Sequence, residues 1–138
     1  MRAPTFALTL IVLLTSTLCL AQGKSAQSDM ARKAWLAFYP AFKTAVKKRD
    51  RAALRRMMVS KAFDLESEED SSPDAVFRYL DRTGNDGWPM LDKLVSRGTV
   101  TGRGNTRVIE LKSIELGAPA GFIYRGGKWY WNIYMAGD

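Results

Sequence analysis

Gly121-Phe122-Ile123-Tyr124-Arg125-Gly126-Gly127-Lys128-Trp129-Tyr130-Trp131-Asn132-Ile133-Tyr134-Met135 is two β-rich runs hinged on a Gly-Gly pair. A two-residue turn at Gly126-Gly127 sets Arg125 opposite Lys128, Tyr124 opposite Trp129, Ile123 opposite Tyr130 and Phe122 opposite Trp131. Strict alternation then places Phe122, Tyr124, Trp129, Trp131, Ile133 and Met135 on one face. Ile123, Arg125, Lys128, Tyr130, Asn132 and Tyr134 fall on the other. The first face is too apolar to leave in water and has to be covered by the chain ahead of it.

Immediately upstream, residues 99–101 and 106–116 also read as strands, joined by the turn residues Gly102-Arg103-Gly104-Asn105. Earlier still, the periodicity changes from two to between three and four. Trp35, Phe38, Tyr39, Phe42, Ala45 and Val46 define one face of a helix capped by Ser28 or Asp29, with Pro40 predicted to kink or split it. Asp50 is a second N-cap, for a helix carrying Leu54, Met57 and Met58 that ends near Phe63. Ser71-Ser72-Pro73-Asp74 starts a third helix with Pro at its first position, and Val76, Phe77 and Leu80 give it an apolar side. Gly84-Asn85-Asp86-Gly87 is turn chemistry. Trp88-Pro89 opens a fourth helix, with Leu91, Leu94 and Val95 inside and Gly98 at its end. The predicted fold class is α+β, with N-terminal helices packed on a C-terminal antiparallel sheet.

At the far N-terminus a single Arg2 precedes an apolar run from Phe6 to Leu20, and Cys19 and Ala21 occupy the small-residue positions of a cleavage site. This predicts a signal peptide over residues 1–21, a flexible leader over 22–28 and one α+β domain over 29–138. Thr9, Thr15, Ser16 and Thr17 dilute the run below what a membrane span needs, so no stable span is expected after cleavage. A lipidated signal fits poorly, since Leu18 stands where a small residue is wanted. The expected localisation is therefore export to the periplasm or the medium.

Cleavage near Ala21 leaves 117 residues that hold 20 basic and 14 acidic side chains, no Cys and no His. Disulfides, His- or Cys-based nucleophiles and zinc sites built on those residues are thereby excluded. The domain must fold on apolar packing alone. No metal or other cofactor is expected, because the acidic run 64–70 lacks the glycine that a calcium loop needs for its turn. The positive cluster Lys43, Lys47, Lys48, Arg49, Arg51, Arg55 and Arg56 has no interleaved aromatics, so it reads as a solvated helix surface and no nucleic acid is expected as a partner.

A long helix anchored by Trp35, Phe38 and Phe42, a tight break into Lys48-Arg49-Asp50-Arg51-Ala52-Ala53-Leu54, further helix and a sheet ending in Gly-Gly-Lys-Trp-Tyr-Trp together resemble one group of domains. These are the cone-shaped α+β domains of the nuclear-transport-factor-two-like, or cystatin-like, superfamily. The resemblance runs over residues 29–135. It implies a pocket between the sheet and the first helices, lined by some of Trp35, Tyr39, Trp88, Tyr124, Trp129 and Trp131. Members of the superfamily include isomerases, dehydratases and hydrolases as well as proteins that only bind.

The expected function is that of an exported, non-catalytic binding or interaction module for a small apolar ligand or a cell-envelope partner. It would use that pocket or a strip of Tyr130, Asn132 and Tyr134 on the outer sheet face. The alternative is a small His-free pocket enzyme that works with an Asp or Glu beside a Tyr, Asp64 being the first carboxylate to inspect. A homodimer paired through the outer sheet face is a third reading.

Overall fold

The computed structural model describes residues 9–61, 64–65, 72–82, 87–111 and 119–135, with side chains from residue 26 onward. Residues 66–70 of the acidic run, the turn residues 84–86 and residues 112–116 of the strand predicted over 106–116 lie outside them. Among the described residues four helices precede and flank a five-stranded sheet, an α+β arrangement. In chain order the elements are α1 (Thr9–Lys48), α2 (Arg51–Arg56), β1 (Asp64–Leu65), α3 (Pro73–Arg82), α4 (Gly87–Arg97), β2 (Thr99–Thr101), β3 (Thr106–Glu110), β4 (Ala120–Arg125) and β5 (Lys128–Tyr134). The strand order is β1-β5-β4-β3-β2. Among these five strands every pairing is antiparallel except β1 with β5.

Helix α1 is continuous from Thr9, so residues 22–28, expected as a leader, are helical, and neither Ser28 nor Asp29 caps a helix end. Nothing in that segment stops a helix once the aromatic face downstream has nucleated it: there is no Pro, and Gly23 alone costs only about 1 kcal/mol. Pro40 does not split α1 either. It lies on the exposed side, as does Leu36, whose carbonyl loses its helical donor.

The helix ends where Arg49 adopts a left-handed φ of 51°. The Arg49 N–H bonds the Val46 carbonyl at 2.9 Å and the Asp50 N–H bonds the Ala45 carbonyl at 2.9 Å, the paired closure of a Schellman motif. Asp50 then caps α2, its carboxylate accepting from the Ala53 N–H at 2.9 Å. One residue thus finishes one helix and begins the next. Helix α2 is shorter than predicted and stops at Arg56, because Met57–Val59 turn to run beside β5. The Trp131 N–H bonds the Met57 carbonyl at 2.7 Å, and the Val59 N–H bonds the Trp131 carbonyl at 3.0 Å.

The β4–β5 register matches the predicted one from Arg125–Lys128 through Phe122–Trp131, and both turn glycines have positive φ. Beyond that point it changes. Gly121 pairs with Ile133, leaving Asn132 as an extra residue on β5, a β-bulge. The Trp131 indole N–H holds it by donating to the Ile133 carbonyl at 2.8 Å. Everything after the bulge changes face: Tyr134, expected on the wet side, is fully buried, and Ile133 is half-buried. Gly121 makes room for Ile133, since a Cβ there would stand 2.8 Å from the Ile133 Cβ.

Strand β1 was not anticipated. Asp64 pairs with Ile133 and Leu65 with Tyr134, and a two-residue parallel edge strand in an acidic context carries no periodicity to detect.

Helix α3 starts as predicted, Ser72 accepting from the Ala75 N–H through both its carbonyl, at 3.1 Å, and its hydroxyl, at 3.3 Å. The Gly98 N–H closes α4 onto the Leu94 carbonyl at 2.7 Å. The core is continuous from the α1 face (Trp35, Phe42, Val46) through Phe122, Trp129 and Trp131 to Val76, Leu80, Leu91 and Leu94 of α3 and α4.

Candidate functional site

The space between α1 and the sheet is filled by rings. Trp35 lies edge-on to Phe122 at 5.2 Å and to Trp129 at 5.0 Å between centroids, and stacks on Tyr39 at 5.1 Å. Phe42 stands edge-on to Phe122 at 5.1 Å and to Trp131 at 5.2 Å. Edge-to-face contacts at these separations are the favoured aromatic geometry and leave no lumen. The Trp129 indole N–H donates to the Ala31 carbonyl at 2.7 Å, tying the hairpin to the helix. Trp35 and Trp131, expected to line a pocket, are therefore core residues, while Trp129 is buried beside them with one side on a groove at the hairpin end.

Trp88 is buried elsewhere. It stacks on Phe77 at 6.3 Å and donates its indole N–H to Asp81 at 3.0 Å. Tyr39 turns away from the sheet and donates its hydroxyl to the Val95 carbonyl of α4 at 3.0 Å, and burial pushes its pKa up. Tyr124 is half-buried against Trp129. The six pocket candidates do not converge on one cavity.

The outer strip is likewise divided. The bulge carries Tyr134 into the core, where its ring meets Trp131 at 5.9 Å and Tyr79 at 6.2 Å. Its pKa is raised by burial and secondarily by Tyr79. The Tyr134 hydroxyl and the Asn132 Oδ1 are buried without a hydrogen-bond partner among the described residues. Tyr130 stays half-exposed on the surface that the alternation assigned to it, and Asn132 is half-buried at the bulge.

Open space lies at the surface: a hollow of about 430 Å³ between α1 and α4 is lined by Tyr39, Lys43, Lys47 and Asp92, and two more adjoin the hairpin. Where α1, the end of α2 and the hairpin tip meet, a groove of about 370 Å³ is floored by Ala34, Ala37, Phe38, Met57 and Trp129, and Arg56 and Lys128 stand at its rim. Tyr130 forms one wall. Its other side faces a second hollow of about 380 Å³, bounded by Val59, Ser60, Lys61 and Arg125. The residues that pattern reading missed are Ala34, Ala37, Arg56, Met57 and Lys128. A small-residue stripe at 34, 37 and 41 on an otherwise aromatic helix was the available signal, because it leaves space where larger side chains would fill it.

Charge sharpens the asymmetry. Arg51 bonds both carboxylate oxygens of Asp81 at 2.7 Å, and Arg55 pairs with Asp74, so α2 spends these two cations on α3. The Trp88 indole N–H, and then Arg51, hold the Asp81 pKa below its usual value. Among the described residues no carboxylate pairs with Arg56, Lys61, Arg125 or Lys128, all exposed. None of the described carboxylates is buried, and Asp64 is exposed on its edge strand.

No family model matches the chain, and none of the curated proteins matches it. Among solved structures it is similar to an NTF-2 like protein of unknown function from Silicibacter pomeroyi DSS-3. The two are 17% identical, the match covers 75% of this chain and 91% of that one, and the TM-score is 0.41.

Proposed function

We propose that this protein is an exported, non-catalytic binding module that holds a small apolar ligand in the groove between α1, the end of α2 and the β4–β5 hairpin. One observation carries the reading: the aromatic core fills the space between α1 and the sheet, while a groove of about 370 Å³ with an apolar floor stays open beside it. That volume lies within the range of small-molecule sites, and an apolar floor with a few polar groups at its edge is their usual composition. The exposure of every described carboxylate weighs against acid-base catalysis, which needs a carboxylate whose environment shifts its pKa toward neutrality.

Ala37 is exposed at the groove floor and has no part in the core, so it can be enlarged without disturbing the fold. The neutral fluorophore N-phenyl-1-naphthylamine is expected to brighten on binding the native protein. Ala37→Trp is expected to abolish that signal with an unchanged melting temperature. Equal binding by the variant removes the groove from consideration.

A further inference from the structure

Resting on the groove as the binding site, we infer that the ligand is a single-chain amphiphile with an anionic headgroup: its tail lies in the groove and its head crosses Tyr130 into the adjoining hollow. The two concavities share Tyr130 as their common wall and differ in character. One is floored by Phe38, Met57 and Trp129. The other is bounded by Ser60, Lys61, Arg125 and Gly126. Amphipathic Tyr suits such a boundary, since its ring packs against a chain while its hydroxyl reaches the polar side.

The cations are disposed to match. Arg56 and Lys128 stand where the tail groove opens, and Lys61 and Arg125 stand in the hollow beyond. Elsewhere on the same short helix, Arg51 and Arg55 are neutralised by Asp81 and Asp74. The cations around Tyr130 have no such carboxylate among the described residues. A guanidinium and an ammonium that flank one hollow favour an anion through charge-assisted hydrogen bonds. A neutral lipid would gain the apolar floor and forgo the four charges.

The test compares dodecyl phosphate, dodecanol and inorganic phosphate, each below its aggregation limit, as competitors of N-phenyl-1-naphthylamine on the full chain. Dodecyl phosphate is expected to compete at least tenfold more strongly than dodecanol at low salt. The advantage should shrink as ionic strength rises, and inorganic phosphate alone should not compete. The double variant Lys61→Ala/Arg125→Ala is expected to bring dodecyl phosphate down to the level of dodecanol while dodecanol is unaffected. Equal competition by the two amphiphiles, or an advantage that survives the double variant, overturns the anionic headgroup and leaves the apolar groove standing. Failure of both amphiphiles to compete, together with fluorophore binding that Ala37→Trp does not disturb, overturns the groove itself.

Discussion

Tyr39 and Tyr134 bury the same phenol under opposite terms. The Tyr39 hydroxyl donates to the Val95 carbonyl at 3.0 Å and so ties α1 to α4, whereas the Tyr134 hydroxyl is buried with no partner among the described residues. Removing one partner of a bond forfeits about 1 kcal/mol and strands the other group, whereas removing a hydroxyl that has no partner relieves a desolvation cost of similar size. Tyr39→Phe is therefore expected to lower stability by about 1 kcal/mol. Tyr134→Phe should raise it by a comparable amount, because the ring contacts to Trp131 and Tyr79 persist. Urea unfolding of the two variants checks both signs, and a loss in Tyr134→Phe would show that its hydroxyl has a partner after all. The burial of Tyr134 was not legible in the sequence: alternation assigns it to the wet face, and a single extra residue at Asn132 reverses the assignment. Residues before the bulge were legible because a two-residue Gly-Gly turn fixes their register from within the hairpin.

At the scale of elements, the short helix α2 works as a clamp between α1 and α3. Its N-terminus is held by Asp50, which also closes α1, and its outward face is held by Arg51 on Asp81 and Arg55 on Asp74, with both guanidinium groups lying over the Phe77 ring. The tight break was legible because Asp50 followed by a short apolar repeat is a cap signal. The end of α2 was not, since only the pairing of Met57–Val59 with Trp131 stops the helix there, and that is a contact made across the fold. Asp81 gives the clamp a pH dependence. Its folded pKa lies below its unfolded value, so the stability it supplies is present above the ordinary carboxylate pKa and is lost as pH falls through the lowered folded value. The ion pair is about half exposed, with side chains 54% and 44% accessible, and screening limits the contribution to at most about 1 kcal/mol. Asp81→Asn keeps an oxygen for the Trp88 indole and removes the charge. It is expected to be less stable than the native chain at neutral pH by up to about that amount. The gap should close once both proteins are measured below the carboxylate range. A gap that stays constant with pH would assign the effect to packing rather than to charge.

For the whole molecule, the α+β order was legible because the switch from three-to-four spacing to alternation falls cleanly at Gly98. The candidate site was less so. Trp35, Trp129 and Trp131 were expected at one pocket, yet three large rings of α1 (Trp35, Phe38 and Phe42) pack edge-on against those of the sheet and fill the space between, and the open groove lies beside them with Trp129 at its floor. This arrangement bears on export, which the N-terminal pattern predicts. Among the described residues no helix is long and apolar enough to cross a membrane, and buried side chains begin at Ala31, ten residues beyond the expected cleavage point at Ala21. The helix preceding Ala31 contributes nothing described to the core, whereas Ala31 accepts the Trp129 indole bond and Trp35 packs on three elements' worth of rings. A chain that starts at Gln22 keeps all of these contacts. Its thermal midpoint is expected to match that of the full chain within a degree or two, as follows when the apolar area buried on folding is the same. A chain that starts at Leu36 loses Ala31 and Trp35 and is expected to unfold at a markedly lower temperature or fail to fold. Calorimetry of the three forms separates the cases: a large loss on starting at Gln22 would mean that the first 21 residues belong to the domain, and the signal reading would fall.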